Sequence, residues 1–475
     1  MEALRYIKQQ VGRFFRWEYG GLVVLVAFIL LLHLSTIMQP NQPLFDELHY
    51  VPDARVVMSG DATERPEHPP LSKLFIIGGM ELFGDNPVGW RFFPIVFSLA
   101  GVVFFYLACR RLKLSRRASF IATFLLGLEN LSFVHGSIAM LDVYSVTFSL
   151  LAFWLYLRKN YVLAGAAIGI SALAKMTGLL ALAIIGLHWA LDGGLLLIWR
   201  QIRLFFRLLR RRLQHRWRLM CRFLTVRIWR KLRFLPSMLA APAVFLGLMP
   251  LMDYGVFHEW TNPISRIQKM MEISGSINYS WVEPGTGSRP WIWVLTPEVM
   301  PYWYSPHYTG MISPTIWVFI MPLVLYMAWR AIRGNTPVLF PLSWFICGYM
   351  LWIPLSLITD RVTYLFYFYP TVGAIAIGLA IAMSPMLNKA WGRGVIAIYL
   401  LLHIIAFVVI SPVALCWSIP LGLLLYGIVF WLTGLGEGLR FGRRSQPPED
   451  EEPEEAEPSP DEELPAQPVD IPPPQ

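Results

Sequence analysis

The chain has few cysteines and little charge. Four cysteines occur among 475 residues, and neither of the two longest polar stretches contains one, so no disulfide framework is implied. Charged residues make up only 15% of the chain and hydrophobic residues 56%, and the mean hydropathy is +0.51. A soluble protein of this length would carry more charge and fewer apolar residues. The sequence therefore predicts an all-α polytopic membrane protein.

Acidic residues are scarce outside one terminal segment. Residues 445–475 hold 11 of the 31 acidic residues and no Lys or Arg, and this Pro-rich acidic composition predicts a disordered tail. Residues 200–233 contain 13 Lys or Arg and no acidic residue, with apolar residues recurring every three or four positions. This pattern predicts an amphipathic helix on the anionic cytoplasmic membrane surface, which we favour over nucleic-acid binding.

Apolar runs that alternate with basic clusters predict about twelve transmembrane helices. The predicted spans are 20–38, 91–109, 118–135, 141–157, 161–175, 177–199, 236–252, 313–329, 337–358, 364–384, 395–411 and 415–433. The basic clusters place both termini in the cytoplasm. The last two spans are short, and the alternative of eleven spans would place the acidic tail outside.

This topology divides the chain into two membrane modules and two polar loops. The predicted parts are a cytoplasmic N-terminus (1–19), an N-terminal module (20–250), a C-terminal module (313–434), and the polar loops 39–90 and 253–312. We refer to 39–90 as the first polar loop and to 253–312 as the second polar loop. Both are predicted to be extracytoplasmic, and neither is long enough for a separate domain with its own core.

Charged residues at the predicted outer edge of the membrane are candidates for function, because placing them there costs free energy. They include Asp46 and Glu47 in FDELHY (45–50) and His68 and Lys73 in HPPLSK (68–73); the remaining candidates are His49, Arg91, Glu129, His135, Asp142, Lys175, Asp360 and Arg361. A carboxylate there can take a proton from a hydroxyl nucleophile. An arginine can hold a phosphate.

Other interpretations of these residues remain open. Asp46 and Glu47 with His49 and His68 match no strong metal signature, so we do not favour a metal site. Asp142 and Lys175 are as compatible with a structural ion pair as with a functional role. A secondary transporter would also fit twelve spans, but we find no internal repeat and the charges crowd one face.

Several motifs resemble the protein O-mannosyltransferases, which are GT-C glycosyltransferases that use a polyprenyl-phosphate sugar. The similar stretches are FDELHY with HPPLSK, then GWRFFP (89–94), LENLSFVHGSIAMLDVYSV (128–146), GISALAKMTGLL (169–180), GSRPWIWVL (287–295) and DRVTYLFYFYPTVGAIAIGLA (360–380). The resemblance covers roughly residues 17–434. It implies a GT-C helical bundle of a compact prokaryotic type, because the second polar loop is too short for the MIR domain of eukaryotic members.

The resemblance also implies roles for individual residues. Asp46 would be the catalytic base, and Glu47 would position acceptor or donor. Arg91 and Arg361 would lie near the carrier phosphate, and His68 and Lys73 would shape that pocket. Lys175, Asp142 and Glu129 are further candidates for substrate binding. No metal or other cofactor is expected.

The implied reaction moves a sugar, expected to be mannose, from a polyprenyl- or dolichyl-phosphate donor to Ser/Thr hydroxyls of a protein acceptor, with inversion at the anomeric carbon. The alternative is a lipid-carrier glycosyltransferase that acts on a glycolipid. The resemblance implies a multi-pass protein of the cell membrane with an extracytoplasmic site, and a possible dimer.

Overall fold

The structure is a computed structural model that describes residues 17–194, 234–280, 285, 287–413 and five isolated positions between 420 and 427. Two predictions lie outside the described residues, the amphipathic helix 200–233 and the disordered tail 445–475, and so does most of the predicted last span 415–433. Most of the predicted cytoplasmic N-terminus lies outside them as well.

The first part of the chain is helical because its apolar runs are broken only by short polar or Pro/Gly segments. Its helices are α1 Gly20–Thr36, α2 Glu47–Met58, α3 Leu71–Phe83, α4 Pro87–Arg111, α5 Arg116–Gly127, α6 Asn130–Ser137, α7 Asp142–Leu157, α8 Tyr161–Ala174 and α9 Leu180–Trp189. A 3₁₀ turn, Met176–Leu179, joins α8 to α9. Helix α3 begins just after Pro69 and Pro70.

The second part begins with α10 and contains the only β-structure among the described residues. Its helices are α10 Leu235–Phe257, α11 Pro263–Ser276, α12 Ile292–Leu295, α13 Pro314–Trp317, α14 Ile320–Ile332, α15 Leu339–Phe345, α16 Trp352–Thr359, α17 Val372–Met383 and α18 Ala390–Ile410. The 3₁₀ segment Leu365–Thr371 precedes α17. Strands β1 Met300–Trp303 and β2 Tyr308–Gly310 form an antiparallel hairpin, so the all-α prediction missed a small sheet in the second polar loop.

The described helices include seven that are long and apolar enough to cross a membrane, or eight if the bent pair α5–α6 is one span. Three shorter apolar helices, α1, α7 and α8, coincide with further predicted spans. Each of the first eleven predicted spans therefore overlaps an apolar helix. The helical membrane architecture is confirmed, whereas the number of twelve spans stays a prediction.

Helices α4, α7, α8 and α10 pack side by side and form the wall behind the first polar loop. Gly169 on α8 allows the close approach of α10, because a Cβ built there would lie 2.6 Å from the carbonyl oxygen of Ala241. Small residues at such crossings are typical of helix pairs in membranes. Helix α3 packs against α4 of this wall, and α2 packs against α3. Asp46 directly precedes α2, Glu47 is its first residue, and Lys73 lies on α3.

Candidate active site

A cavity of about 560 Å³ lies where the first polar loop meets the second polar loop and the segment after α16. Its polar lining comprises Asp46, His49, Tyr50, Arg65, Glu67, His68, Lys175, Thr177, Ser274, Thr359, Arg361, Tyr364 and Tyr367. Its apolar lining includes Trp352, Leu355, Phe45 and Phe366 and four methionines, Met176, Met270, Met271 and Met300. This volume is typical of a small-molecule site.

Asp46 is the N-cap residue that directly precedes α2, and its side chain lines the cavity. Its backbone oxygen accepts hydrogen bonds from the amides of His49 and Tyr50. No side chain or backbone group of the described residues donates a hydrogen bond to its carboxylate. The carboxylate is thus available to a ligand.

Burial in the cavity raises the pKa of the Asp46 carboxyl to about 6, since desolvation outweighs the attraction of the Lys175 ammonium. The nearby Asp142 carboxylate raises it further. Burial also lowers the pKa of His68 to about 3, and the positive charges of Lys175 and Lys73 add to that effect. Near neutral pH the cavity therefore holds a carboxylate with raised basicity beside a neutral imidazole.

Lys175 follows α8 and reaches into the cavity while paired with Asp142. Its Nζ lies 2.8 Å from each carboxylate oxygen of Asp142. It also lies 5.3 Å and 5.4 Å from the ring centroids of Phe366 and Tyr367. The ion pair that the sequence suggested is therefore present. Lys175 also lines the cavity, whereas Asp142 does not.

Arg361 follows α16 and lines the cavity from the side of the C-terminal module. Its backbone forms an isolated antiparallel bridge with Asn278 of the second polar loop. The neighbouring Asp360 pairs instead with Arg289. Among the described residues no carboxylate pairs with the Arg361 guanidinium, which can therefore receive an anion.

Lys73 holds the segment that carries Arg65, Glu67 and His68 but does not itself line the cavity. Its Nζ pairs with the Asp53 carboxylate at 2.8 Å and donates to the Thr63 hydroxyl at 2.7 Å and to the backbone carbonyl of Arg65. Its side chain is almost completely buried. Lys73 thus holds the backbone of the segment that lines the cavity; its predicted role in shaping a substrate pocket stays a prediction.

Glu47 and Arg91 are not among the residues that line the cavity, and their predicted contact with substrate stays a prediction. The Arg91 Nε and Nη2 atoms lie 3.0 Å and 2.8 Å from the two carboxylate oxygens of Glu47. Arg91 also donates to the carbonyls of Ile37, Pro40 and Gln42, and both side chains are fully buried. All guanidinium hydrogens are used within the protein, so this pair fastens the start of the first polar loop onto α4.

Glu129 is likewise not among the residues that line the cavity, and its predicted substrate-binding role stays a prediction. It precedes α6 and accepts hydrogen bonds from the amides of Ser132 at 2.8 Å and Ser313 at 3.1 Å. Its side chain is fully buried. The residue caps α6 and joins it to the segment before α13.

The sequence analysis missed Arg65 and Glu67, which line the cavity. The Arg65 Nη2 atom lies 3.2 Å from Nδ1 of His49. The sequence pattern that could have identified them was present, since both lie in ERPEHPP (64–70), a charged Pro-containing stretch of the first polar loop. It also missed α11, although Asn262 before Pro263 is a typical helix start.

In the described part of the chain, no group of three or more His, Cys, Asp or Glu side chains is arranged to hold a metal ion. The cations of the site are those of Lys175, Arg65 and Arg361. Chemically, the cavity combines a base for an attacking hydroxyl with a guanidinium for a departing anion. Such an arrangement suits transfer of a group from a phosphate carrier.

The helical bundle that holds this cavity has a counterpart among solved structures. The chain is structurally similar to the S. cerevisiae protein O-mannosyltransferase Pmt1-Pmt2 complex bound to the sugar donor, with a TM-score of 0.63. The superposition covers 83% of this chain and 90% of that chain at 12% sequence identity. The likeness shows the fold and confirms the predicted GT-C architecture.

Residues 67–206 match the family model of the dolichyl-phosphate-mannose-protein mannosyltransferases. The chain is 34% identical over 144 residues to a polyprenol-phosphate-mannose–protein mannosyltransferase of Mycolicibacterium smegmatis. It is 23% identical over 485 residues to the Corynebacterium glutamicum protein of the same description, covering 82% of this chain and 87% of that protein. The predicted resemblance to the protein O-mannosyltransferases is thereby confirmed.

The coverage of these matches differs. The M. smegmatis match spans 29% of this chain and 28% of that relative's length. It thus covers little more than a quarter of the relative.

Proposed function

We propose that this protein transfers mannose from a polyprenyl-phosphate carrier to Ser/Thr hydroxyls of proteins at the extracytoplasmic face of the cell membrane. The observation that carries the proposal is that the Asp46 carboxylate and the Arg361 guanidinium line one cavity. Among the described residues, no group donates a hydrogen bond to that carboxylate and no carboxylate pairs with that guanidinium. The confirmed family resemblance supports mannose as the sugar and a protein as the acceptor.

The proposed transfer is one displacement at the anomeric carbon. Asp46 takes the proton of the acceptor hydroxyl while the oxygen of that hydroxyl forms the new bond to the anomeric carbon. The bond from that carbon to the phosphate oxygen breaks, and its electron pair leaves with the polyprenyl phosphate. Arg361 stabilises the charge that develops there. Attack from the side opposite the leaving group inverts the anomeric configuration.

The remaining predicted residues support these two roles. The Lys175 ammonium keeps positive charge beside Asp46 while Asp142 holds it in place. His68 is placed to contact the substrate as a neutral hydrogen-bonding group. Trp352 and Leu355 on α16 offer an apolar surface beside Arg361 for the first isoprene units of the carrier.

The test supplies purified protein with polyprenyl-phosphate [¹⁴C]mannose and a peptide containing Ser and Thr. Labelled glycopeptide with inverted configuration is the expected product. Labelled glycolipid with an added lipid acceptor would instead support the alternative acceptor, and failure to label either acceptor would contradict transferase activity. A panel of other lipid-phosphate sugars tests the choice of mannose.

Replacing Arg361 tests the phosphate role. We expect Arg361→Ala to raise the KM for the lipid donor about 10- to 100-fold, because a charge-assisted hydrogen bond is worth roughly 1.5–3 kcal/mol. Arg361→Lys should recover part of this loss, since it keeps a cation. Arg289→Lys, next to Asp360 and outside the lining, is the control. An unchanged donor KM in Arg361→Ala would reject the assignment.

The raised pKa of Asp46 predicts an acid limb in the rate profile. A base must be deprotonated, so kcat/KM should be constant above about pH 6 and fall tenfold per unit below it, as the carboxyl protonates. Initial rates from pH 4.5 to 8 measure this. Since histidines ordinarily titrate in the same range, His49→Gln serves as the control. Loss of the limb in that variant would assign it to His49.

The orientation can be tested separately. Cysteine introduced at position 46 should react with an impermeant thiol reagent added to the outside of intact cells. Labelling only in inverted vesicles would place the cavity in the cytoplasm and reject the extracytoplasmic site.

A further inference from the structure

The residue before Asp46 has an unusual backbone conformation. Phe45 has a φ of +48°, in the left-handed region that residues with side chains rarely adopt. This conformation directs the chain into α2. It therefore also sets the position of the Asp46 Cα atom, from which the carboxylate extends. Contacts that hold Phe45 therefore control the position of the proposed base.

Phe45 is held by an aromatic ring from the second polar loop. The ring of Tyr302 on β1 stacks on it, with centroids 4.0 Å apart and planes 12° from parallel. Phe366 meets Phe45 edge to face at 5.9 Å. The stacked contact is the closer of the two, and it joins chain segments more than 250 residues apart in sequence.

Tyr302 is in turn fixed by two neighbours. Its hydroxyl is hydrogen-bonded to Nε2 of His135 at 3.0 Å. On the partner strand, a Cβ built at Gly310 would lie 2.6 Å from the Tyr302 ring, so glycine is needed for the hairpin to pack against it. Tyr302 is 6% exposed. The ring thus has a defined position from which to hold Phe45.

We propose that Tyr302 is a positioning residue for the transfer reaction: by stacking on Phe45 it holds the left-handed backbone that aims the Asp46 carboxylate. The inference rests on the proposed role of Asp46 as base. Phe45 and Asp46 line the cavity and Tyr302 does not, so Tyr302 acts through its neighbour. The β-hairpin thereby completes the geometry of a site that the first polar loop provides.

Tyr302→Leu removes the stacked ring and should lower kcat about 100-fold, the loss expected when a catalytic group shifts by about 1 Å. The KM for the lipid donor should change by less than about threefold, because Arg361 is unaffected. Tyr302→Phe keeps the ring and loses only the hydroxyl, so its kcat should stay within about fivefold of the wild-type value. Initial rates at varied donor concentration measure both parameters.

Tyr308→Leu is the matched control. Tyr308 is fully buried on the adjacent strand, and its hydroxyl donates to the carbonyl of Gln39 at 2.9 Å, but its ring makes no stacking contact with Phe45. If the loss in Tyr302→Leu came only from a weakened hairpin, Tyr308→Leu would show an equal loss in kcat, and that result would overturn the proposal.

Phe45→Leu tests the same contact from the other side, and it keeps the proposal testable if Tyr302→Leu does not fold. The double variant should lose no more kcat than either single variant, because the two rings act as one unit. Independent, additive losses, or a wild-type kcat in Tyr302→Leu, would overturn the inference alone. Absence of transfer by the wild-type protein would overturn the proposed function and this inference with it.

Discussion

Asp46→Asn is expected to reduce sugar transfer by about 10³-fold, within the range that general bases contribute. The amide keeps the shape of the carboxylate but cannot take the proton of the acceptor hydroxyl. Donor binding should persist, because Arg361 and the apolar lining are unchanged. Initial rates with labelled donor and equilibrium binding of polyprenyl phosphate measure the two effects separately.

The control for Asp46→Asn is Asp85→Asn. Asp85 lies in the same polar loop, pairs with Arg55 at 2.7 Å, and its side chain is 42% exposed. Its replacement should leave transfer within about twofold, since exposed pairs contribute little. Transfer by Asp46→Asn at the wild-type rate would reject the mechanism, and parallel loss of binding and rate would make Asp46 a binding residue.

Breaking the buried pair of Glu47 and Arg91 is expected to have the largest effect on stability. Arg91→Leu leaves the Glu47 carboxylate buried without its partner, which costs about 3–5 kcal/mol in the free energy of unfolding. Thermal or denaturant unfolding of the detergent-solubilised protein measures this loss. Arg55→Leu, at the exposed pair with Asp85, should cost less than about 1 kcal/mol.

The Arg91 experiment also distinguishes the structural role from the role that the sequence alone suggested. The double variant Glu47→Met/Arg91→Leu removes both charges and should be more stable than Arg91→Leu. If Arg91→Leu instead unfolds like the wild type and loses only donor affinity, Arg91 is a phosphate ligand after all.

The sequence predicted the helices well, because long apolar runs in membrane proteins have few alternatives to helix. It also identified Asp46, His68, Lys175 and Arg361, which the fold brings to one cavity. These four residues lie far apart in the sequence, and only the family motifs predicted that they share one site. Apolar periodicity alone does not report which side of a helix bundle a polar residue faces.

The errors have specific physical causes. Asp46 and Glu47 are adjacent, but successive residues of a helix point about 100° apart, so one faces the cavity and the other the interior beside Arg91. Arg65 and Glu67 were missed because their placement depends on Lys73 and Asp53, a contact that no local pattern encodes. The hairpin β1–β2 was missed since its strands are only four and three residues long.

The four thioether side chains in the cavity lining have a consequence for the range of acceptors. Met176, Met270, Met271 and Met300 are unbranched and readily change rotamer. A cavity lining of methionines can change shape to fit ligands of different shape at little energetic cost, as promiscuous recognition requires. If the proposed function holds, these methionines would let the cavity accept acceptor segments of different shape, while the charged groups stay fixed.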